Sequence, residues 1–390
     1  MTDTGDHIDA AVAAWRSGQE PDPQPLVVTR PWHDPPGETR LSVVYRCAGD
    51  RDTPVMTAQV GRAEYPLDDP VRLEGVVIPK PWGRELWMTG MEARGESRVA
   101  GTGGSLDLSS YLALAPERIC RHSPIVLLKF LEPRPEPILG ELYLEVHAEK
   151  REVYVVTGVD RAAWPDGRGR IRYGVDQSRR ARYGTDAAFR AAFLEAVEDY
   201  ERIRRAIDRG ETGLEAQERT ALAATRPFIA ERTLAVGDVI SVPAWVPHSL
   251  QHGVQVVEFQ TPTYERLIIA STQAVVTQEH WDSRHGIEHM SLDEPVPPPA
   301  EPIAPGIERI ARFDDFAVWR ADLPSGESFR LPEALPYAVA LCVNGTVNLA
   351  GRGRTTTLAA GEAALIPANA IGRPITVAES GVSLYAGPGL

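Results

Sequence analysis

The sequence predicts a mainly β protein made of two related β barrels, with one helical insertion and an N-terminal extension. Three observations lead there. Segments rich in Val, Leu and Tyr, punctuated by Gly and Pro, recur through the middle and the C-terminal third of the chain. One long stretch near residue 190 spaces its apolar residues by three and four instead of by two. Finally, GDVISVPAWVPH (237–248) and GEAALIPANAIG (361–372) share a Gly, an acid, four residues and Pro-Ala, an echo that suggests two copies of one barrel.

Residues 5–17 (GDHIDAAVAAWRS) have the spacing of a short amphipathic helix, and the Pro-rich QEPDPQP breaks it. LSVVYRCA (41–48) and PVMTAQVG (54–61) read as strands joined by a turn-like GDRDT, and PLDDP (66–70) closes the region. Residues 1–75 are therefore an extension, of a role the sequence leaves unread. The first barrel is expected over 76–293. PIVLLKFLE (124–132), ILGELYLEVH (138–147) and EVYVVTGV (152–159) are its first strands. Phe189, Phe193, Val197, Tyr200, Ile203 and Ile207 then predict a helix of about six turns, with Asp186 as N-cap and Gly210 as the C′ residue. An Ala-rich helix near 213–225 follows, so about 176–226 is an insertion. Strands resume with RTLAVGDVISVPAWV and VQVVEFQ. EPVPPPAEPIAPG (294–306) is a stiff Pro-rich linker. Beyond it, 307–390 shows short strands at regular spacing with Gly turns, as in a small barrel or sandwich.

A length of 390 residues with 43% apolar side chains supports two or three domains with sizeable cores. A net charge of −13 is the wrong sign for broad contact with nucleic acid or anionic lipid, which points to a small-molecule partner. No uninterrupted apolar run approaches the about 18 residues of a membrane helix, and MTDTGDHIDA lacks the basic and apolar regions of a secretory signal, so a cytoplasmic location is expected. The oligomeric state is not legible. Cys47, Cys120 and Cys342 are odd in number and far apart, which suits reduced thiols and leaves any metal to His and carboxylates. Only three of the 41 basic residues are lysines: Lys80, Lys129 and Lys150. Lysine, unlike arginine, can exchange a proton when its environment shifts it, although chance survival against codon bias explains scattered lysines equally well.

The most informative block is Gly140-ELYL-Glu145-Val-His147-AEKR-Glu152-VYVVT-Gly158. Glu145 and His147 are two apart on an expected strand and share a face, and Glu152 can rejoin them once the chain turns into the next strand. His248 follows a second Gly-bounded strand in Gly237-DVISV-Pro243-AWVP-His248. Two imidazoles and two carboxylates suit zinc or another borderline divalent ion.

These blocks resemble the paired motifs of the cupin superfamily, so the expected architecture is two cupin barrels of double-stranded β-helix (jelly-roll) type. Glu145 stands where the first motif usually has His, Trp245 replaces a glycine of the second, and His252 takes its Asn position. KPWGRELW (80–87), PIVLLKFLE, the Glu-x-His block, Lys150-Arg-Glu152, PAWVPHSL and VVEFQTPTYERL further resemble, in order, type I phosphomannose isomerases. That resemblance, over roughly 76–390, implies one divalent ion, zinc first, on Glu145, His147, Glu152 and His248, and a sugar or sugar phosphate as partner. It also implies Lys150, beside the metal and so lowered in pKa, as a proton-transfer group, with Glu258 as the other carrier. Arg266 matches the family's catalytic arginine only through a deletion that removes a Ser-Asp segment, and an ordinary surface arginine fits as well. Lys80, Trp82, Arg179 and Arg180 are the substrate-binding candidates, although the run DQSRRARYG also fits a solvated face. Lys129 is expected to be a strand residue with a structural partner. No histidine follows the linker, so the second barrel is expected to be metal-free. A metal-dependent isomerase of the mannose-6-phosphate isomerase type leads, with a non-catalytic sugar-binding cupin and a cupin enzyme of another reaction class as alternatives.

Overall fold

Antiparallel ladders with apolar residues on their inner faces dominate the computed structural model, which describes residues 4–389 apart from 34, 92–94, 122–123, 264, 272–280 and 297. The fold is mainly β and cupin-like, as the sequence predicts. No helix among the described residues is long and apolar enough to cross a membrane. Cys47, Cys120 and Cys342 are free thiols.

Two compact units form, and their membership differs from the expected boundaries. Residues 1–78, 86–128 and 299–390 make one unit, and 79–85 with 129–298 make the other. The N-terminal region is thus no separate appendage. Strand Ala363–Ile366 is buried along its whole length and has no polar side to turn to water, so both of its edges need a neighbour. Strand Val71–Glu74 supplies one, pairing Leu73 with Ala363 and Val71 with Leu365 inside a nine-stranded sheet. A four-stranded sheet of Ser328–Phe329, Ile375–Glu379, Thr346–Ala350 and Thr355–Ala359 closes the C-terminal sandwich over Trp319, Leu335, Leu349, Leu358 and Tyr385. Part of the expected linker is also strand: Glu301–Ala304 pairs with Ile307–Arg312, and Pro302 is tolerated because the strand is an exposed edge.

The second unit carries the predicted insertion. Helix Asp186–Asp208 buries Phe189, Phe193, Val197 and Tyr200 against Leu144, Val146, Val175 and Ile269 of a five-stranded sheet. Its N-cap is Thr185 instead of Asp186, because the Thr185 hydroxyl accepts the Ala188 N–H at 3.1 Å while Asp186 pairs with Arg180. Of ILGELYLEVH only Leu144–Val146 is strand. Gly140 is packed so tightly that a Cβ would lie 1.9 Å from the Arg134 carbonyl oxygen, and Ile138 has φ +68°, so the chain turns there before it can pair. Since Leu144 and Val146 face the helix, Glu145 faces the other way, into the sandwich.

Asp68 shows how deeply the N-terminal region is built into the first unit. Its fully buried carboxylate accepts the Met56 N–H at 2.7 Å, the Asn369 side-chain amide at 2.8 Å and the Arg118 guanidinium at 2.8 Å. Asp68→Ala leaves those donors unmet, and urea denaturation is expected to show a loss of about 3–5 kcal/mol; a loss within error of zero contradicts this account.

Candidate metal centre

His147, Glu152 and His248 converge in the second unit, with one ligand atom from each lying within 4.8 Å of the others. Cross-strand register brings them together. Glu145 lies directly opposite His248 in the five-stranded sheet. Glu152 begins a strand of the facing sheet, opposite Gln260, and Tyr154 two residues on lies opposite Glu258. His147 Nε2 is 3.4 Å from Glu152 Oε1 and 3.8 Å from Glu145 Oε2. His248 Nε2 is 3.0 Å from Glu152 Oε2, while its Nδ1 lies 2.9 Å from the Val246 carbonyl oxygen. With Nδ1–H donating to that carbonyl, Nε2 of His248 is the ligating nitrogen, the orientation usual for metal-bound imidazoles.

The donor set fits a divalent ion. Both ring nitrogens of His147 are buried and have no hydrogen-bond partner, an arrangement that costs about 1–3 kcal/mol unless something binds there. Burial and the Lys150 charge pull the His147 imidazole down to about 3, so it stays neutral and able to ligate. Burial also opposes charge on Glu152 and His248. Lys150, at 2.5 Å, nevertheless holds the Glu152 carboxyl well below its usual range, and the bond to His248 adds to this. The bond to Glu152 likewise raises His248 above the ordinary imidazole value.

A cavity with about 40 Å³ of free space opens over this cluster. Lys80, Trp82, Glu145, Lys150, Glu258 and Arg266 all line it, so most of the residues singled out in the sequence meet. Arg179 and Arg180 do not. Arg179 stacks 4.5 Å over the Phe228 ring, and Arg180 pairs with Asp186 and donates to the Leu292 carbonyl oxygen, so both serve the helical insertion. Arg266 lies 5.4 Å over the Tyr143 ring, and its buried Nε has no hydrogen-bond partner. Trp82 is core as well as pocket wall. Lys150 is buried instead of standing at a rim. Desolvation disfavours its charge, but Glu152, Glu145 and Glu258 outweigh that and raise it above the ordinary lysine value.

Beside Glu258, a proton carrier expected from the sequence, three contributions were not read there: the pocket positions of Lys129 and Tyr154 and the clamp of Glu265. Lys129 lines the pocket and bridges Gln260 and Glu258, the latter at 3.4 Å. Burial pushes Glu258 up to about 8 in spite of Lys129. Tyr154 donates to Glu152 Oε2 at 2.8 Å. Glu265 gathers the N–H groups of Ala148, Glu149 and Lys150 at 2.6, 2.8 and 2.9 Å, clamping the short loop between His147 and Glu152. These bonds hold its carboxyl below the usual range against the effect of burial. No local pattern marks Glu265. Trp245, in place of the motif glycine, keeps a left-handed φ of +63° so that its N–H reaches the His147 carbonyl oxygen at 2.6 Å. That conformation costs a side-chain-bearing residue about 1–2 kcal/mol. His252 lies outside the cluster, stacked 4.6 Å from Trp164.

A cupin-like sandwich with a buried His/Glu/His group that could hold a metal is the class that fold and site define. No protein-family model and no curated protein sequence matches the chain. Among solved structures, a point mutant of phosphomannose isomerase from Salmonella typhimurium is similar at 16% identity, with TM-score 0.62, over 83% of this chain and 100% of that one. A mannose 6-phosphate isomerase bound with zinc and yttrium, and the Salmonella typhimurium enzyme bound to fructose 6-phosphate and zinc, are each similar at 15% identity, with TM-score 0.61 and the same coverage. The likeness is one of fold.

Two outcomes follow from the geometry. Metal binding needs neutral His248, whose pKa is raised, so zinc affinity should climb as pH rises through that value, with proton release visible by calorimetry in buffers of different ionisation enthalpy. A pH-independent affinity is the contrary result. Glu265→Ala touches no ligand yet should weaken zinc binding about 10–100-fold in a chelator competition, because the loop that spaces His147 from Glu152 loses its clamp.

Proposed function

We propose that the chain is a metal-dependent isomerase of sugar phosphates, interconverting an aldose and a ketose of the mannose 6-phosphate and fructose 6-phosphate kind. The observation that carries this reading is the buried His147/Glu152/His248 group beneath a pocket that also holds Lys150, Glu258 and Arg266. A divalent ion, zinc by donor chemistry and by the zinc-bearing neighbours, would sit on those three with Glu145 as fourth ligand. Bound there, it supplies an electrophile for the oxygens at C1 and C2.

The chain's own groups divide the remaining tasks. Moving a proton between C1 and C2 requires a side chain that takes and returns it near neutral pH. Glu258, pushed up to about 8 by burial, meets that condition. Lys150, kept charged by Glu152, instead offers positive charge where negative charge develops on a substrate oxygen. Trp82 gives a flat apolar wall for a sugar, and Arg266 and Lys80 are the cations for its distal end. About 40 Å³ admits only the reacting end of a hexose, so the phosphate lies toward the mouth.

One observation favours the non-catalytic sugar-binding reading: Lys80, Lys129 and Lys150 are ion-paired with Glu85, Glu258 and Glu152, and Arg179 and Arg180 lie elsewhere, so among the described residues no dedicated phosphate cradle lines the pocket. Turnover separates the two. Zinc-loaded protein in deuterated water should interconvert mannose 6-phosphate and fructose 6-phosphate with label entering the sugar. Glu258→Gln should retain zinc and lose about 10²–10⁴ in kcat. Lys150→Arg, which keeps the charge, should lose less than Lys150→Ala. Stoichiometric zinc without isomerisation of any sugar phosphate in a panel leaves the binding reading.

A further inference from the structure

The short helix Ser283–His289 of the second unit turns two histidines outward. Ser283, Gly286 and Ile287 are its buried side, while Arg284, His285, Glu288 and His289 are exposed. Positions four apart on a helix stand one above the other, so His285 and His289 are neighbours on the open face. Their ring centroids are 4.3 Å apart, with the ring planes 42° from each other. Neither belongs to the His147/Glu152/His248 group.

Two further contacts prepare this pair for a ligand. His289 Nδ1 lies 3.0 Å from the His285 carbonyl oxygen. With Nδ1–H donating to that carbonyl, the Nε2 lone pair of His289 stays free, the same backbone-anchored arrangement that His248 has in the buried centre. Trp245 packs near both rings, with centroids 6.0 Å from His285 and 5.4 Å from His289, and its ring rests in turn on the apolar core below the helix. Rings held against a fixed indole have fewer rotamers to lose when they bind, which favours binding.

Imidazole nitrogens are borderline donors that suit copper, nickel and zinc, whereas magnesium and calcium prefer oxygen. Two imidazoles bound at about 90° to each other, with metal–nitrogen bonds of about 2.0–2.1 Å, have centroids about 4.5 Å apart. The observed separation needs little adjustment. Charge points the same way: Glu288 shares the face, Arg284 beside it is paired with Glu198, and the chain carries a net charge of −13. We propose that His285 and His289 form a second, solvent-exposed metal site that takes a divalent ion of the copper, nickel or zinc kind on two imidazoles, with water in the remaining positions. Among the described residues no third His, Cys, Asp or Glu completes a group with them at the 4.8 Å spacing of the buried one, so this site binds more weakly than the buried centre.

Nickel chloride is the probe, titrated calorimetrically into the full chain and into His248→Gln, which impairs the buried centre. Both should show one site in the range of about 1–100 μM, and His285→Gln or His289→Gln should each weaken it at least about 10-fold. The two changed positions are exposed, so the melting temperature of the metal-free chain should not move. One equivalent of copper(II) on His248→Gln should give imidazole nitrogen couplings in its electron paramagnetic resonance spectrum, and adding His289→Gln should remove them. A weak site present in the unaltered chain and lost with either histidine supports the proposal even if the buried centre binds nothing. Nickel binding that survives both histidine changes, no nickel binding to His248→Gln up to about 1 mM, or equal binding of magnesium at the same site overturns it.

Discussion

The charge on Glu152 is the constraint around which the second unit is organised. A carboxylate only 2% exposed cannot stay ionised unless its neighbours replace water, and four of them do so or approach it: Lys150, Tyr154, His248 and His147. Each reaches it from a different place in the chain. Tyr154 is two residues along the same strand, His248 comes from the facing sheet, and Lys150 and His147 come from the loop that Glu265 pins. The need to satisfy one buried charge therefore ties both sheets and a loop to a common geometry. A cation placed on the same oxygens replaces part of that network instead of adding to it.

The strained turn at Trp245 belongs to the same arrangement. Its N–H holds the His147 carbonyl oxygen, and this fixes the loop from the side opposite Glu265. A glycine there would adopt the conformation at no steric cost. The tryptophan adds what glycine lacks, a ring packed near the imidazoles of His285 and His289, with centroids 6.0 and 5.4 Å away. Local strain and tertiary contact thus coexist at one residue, as is common beside a functional cluster.

Two cavities of the chain differ in chemistry as well as in place. The one over Glu152 is small and lined by alternating carboxylates and cations, suited to a polar group held in one orientation. The other is larger and mainly apolar, lined among the described residues by strand Gln24–Arg30 and by parts of 90–125, all within the first unit. The N-terminal region, silent as sequence, thereby acquires a structural part and a surface of its own.

Features governed by local periodicity were legible in the sequence. Helix Asp186–Asp208 and the strands Glu152–Val159, Val254–Gln260 and Phe316–Leu323 repeat their apolar residues at the spacing of their backbone, and Glu145, His147, Glu152 and His248 stand at strand-linked intervals that one face can gather. Tertiary structure decided what depends on partners distant in the chain. Strand Val71–Glu74 joined the C-terminal sheet because a fully buried strand needed an edge covered, which nothing near residue 71 announces. Arg179 and Arg180 engage Phe228 and Asp186 instead of the pocket, partners that no local pattern around DQSRRARYG announces. The directions in which Lys150 and Glu258 titrate were likewise set by burial and by carboxylates on other strands, since electrostatic energy depends on distance and dielectric, and a linear sequence encodes neither.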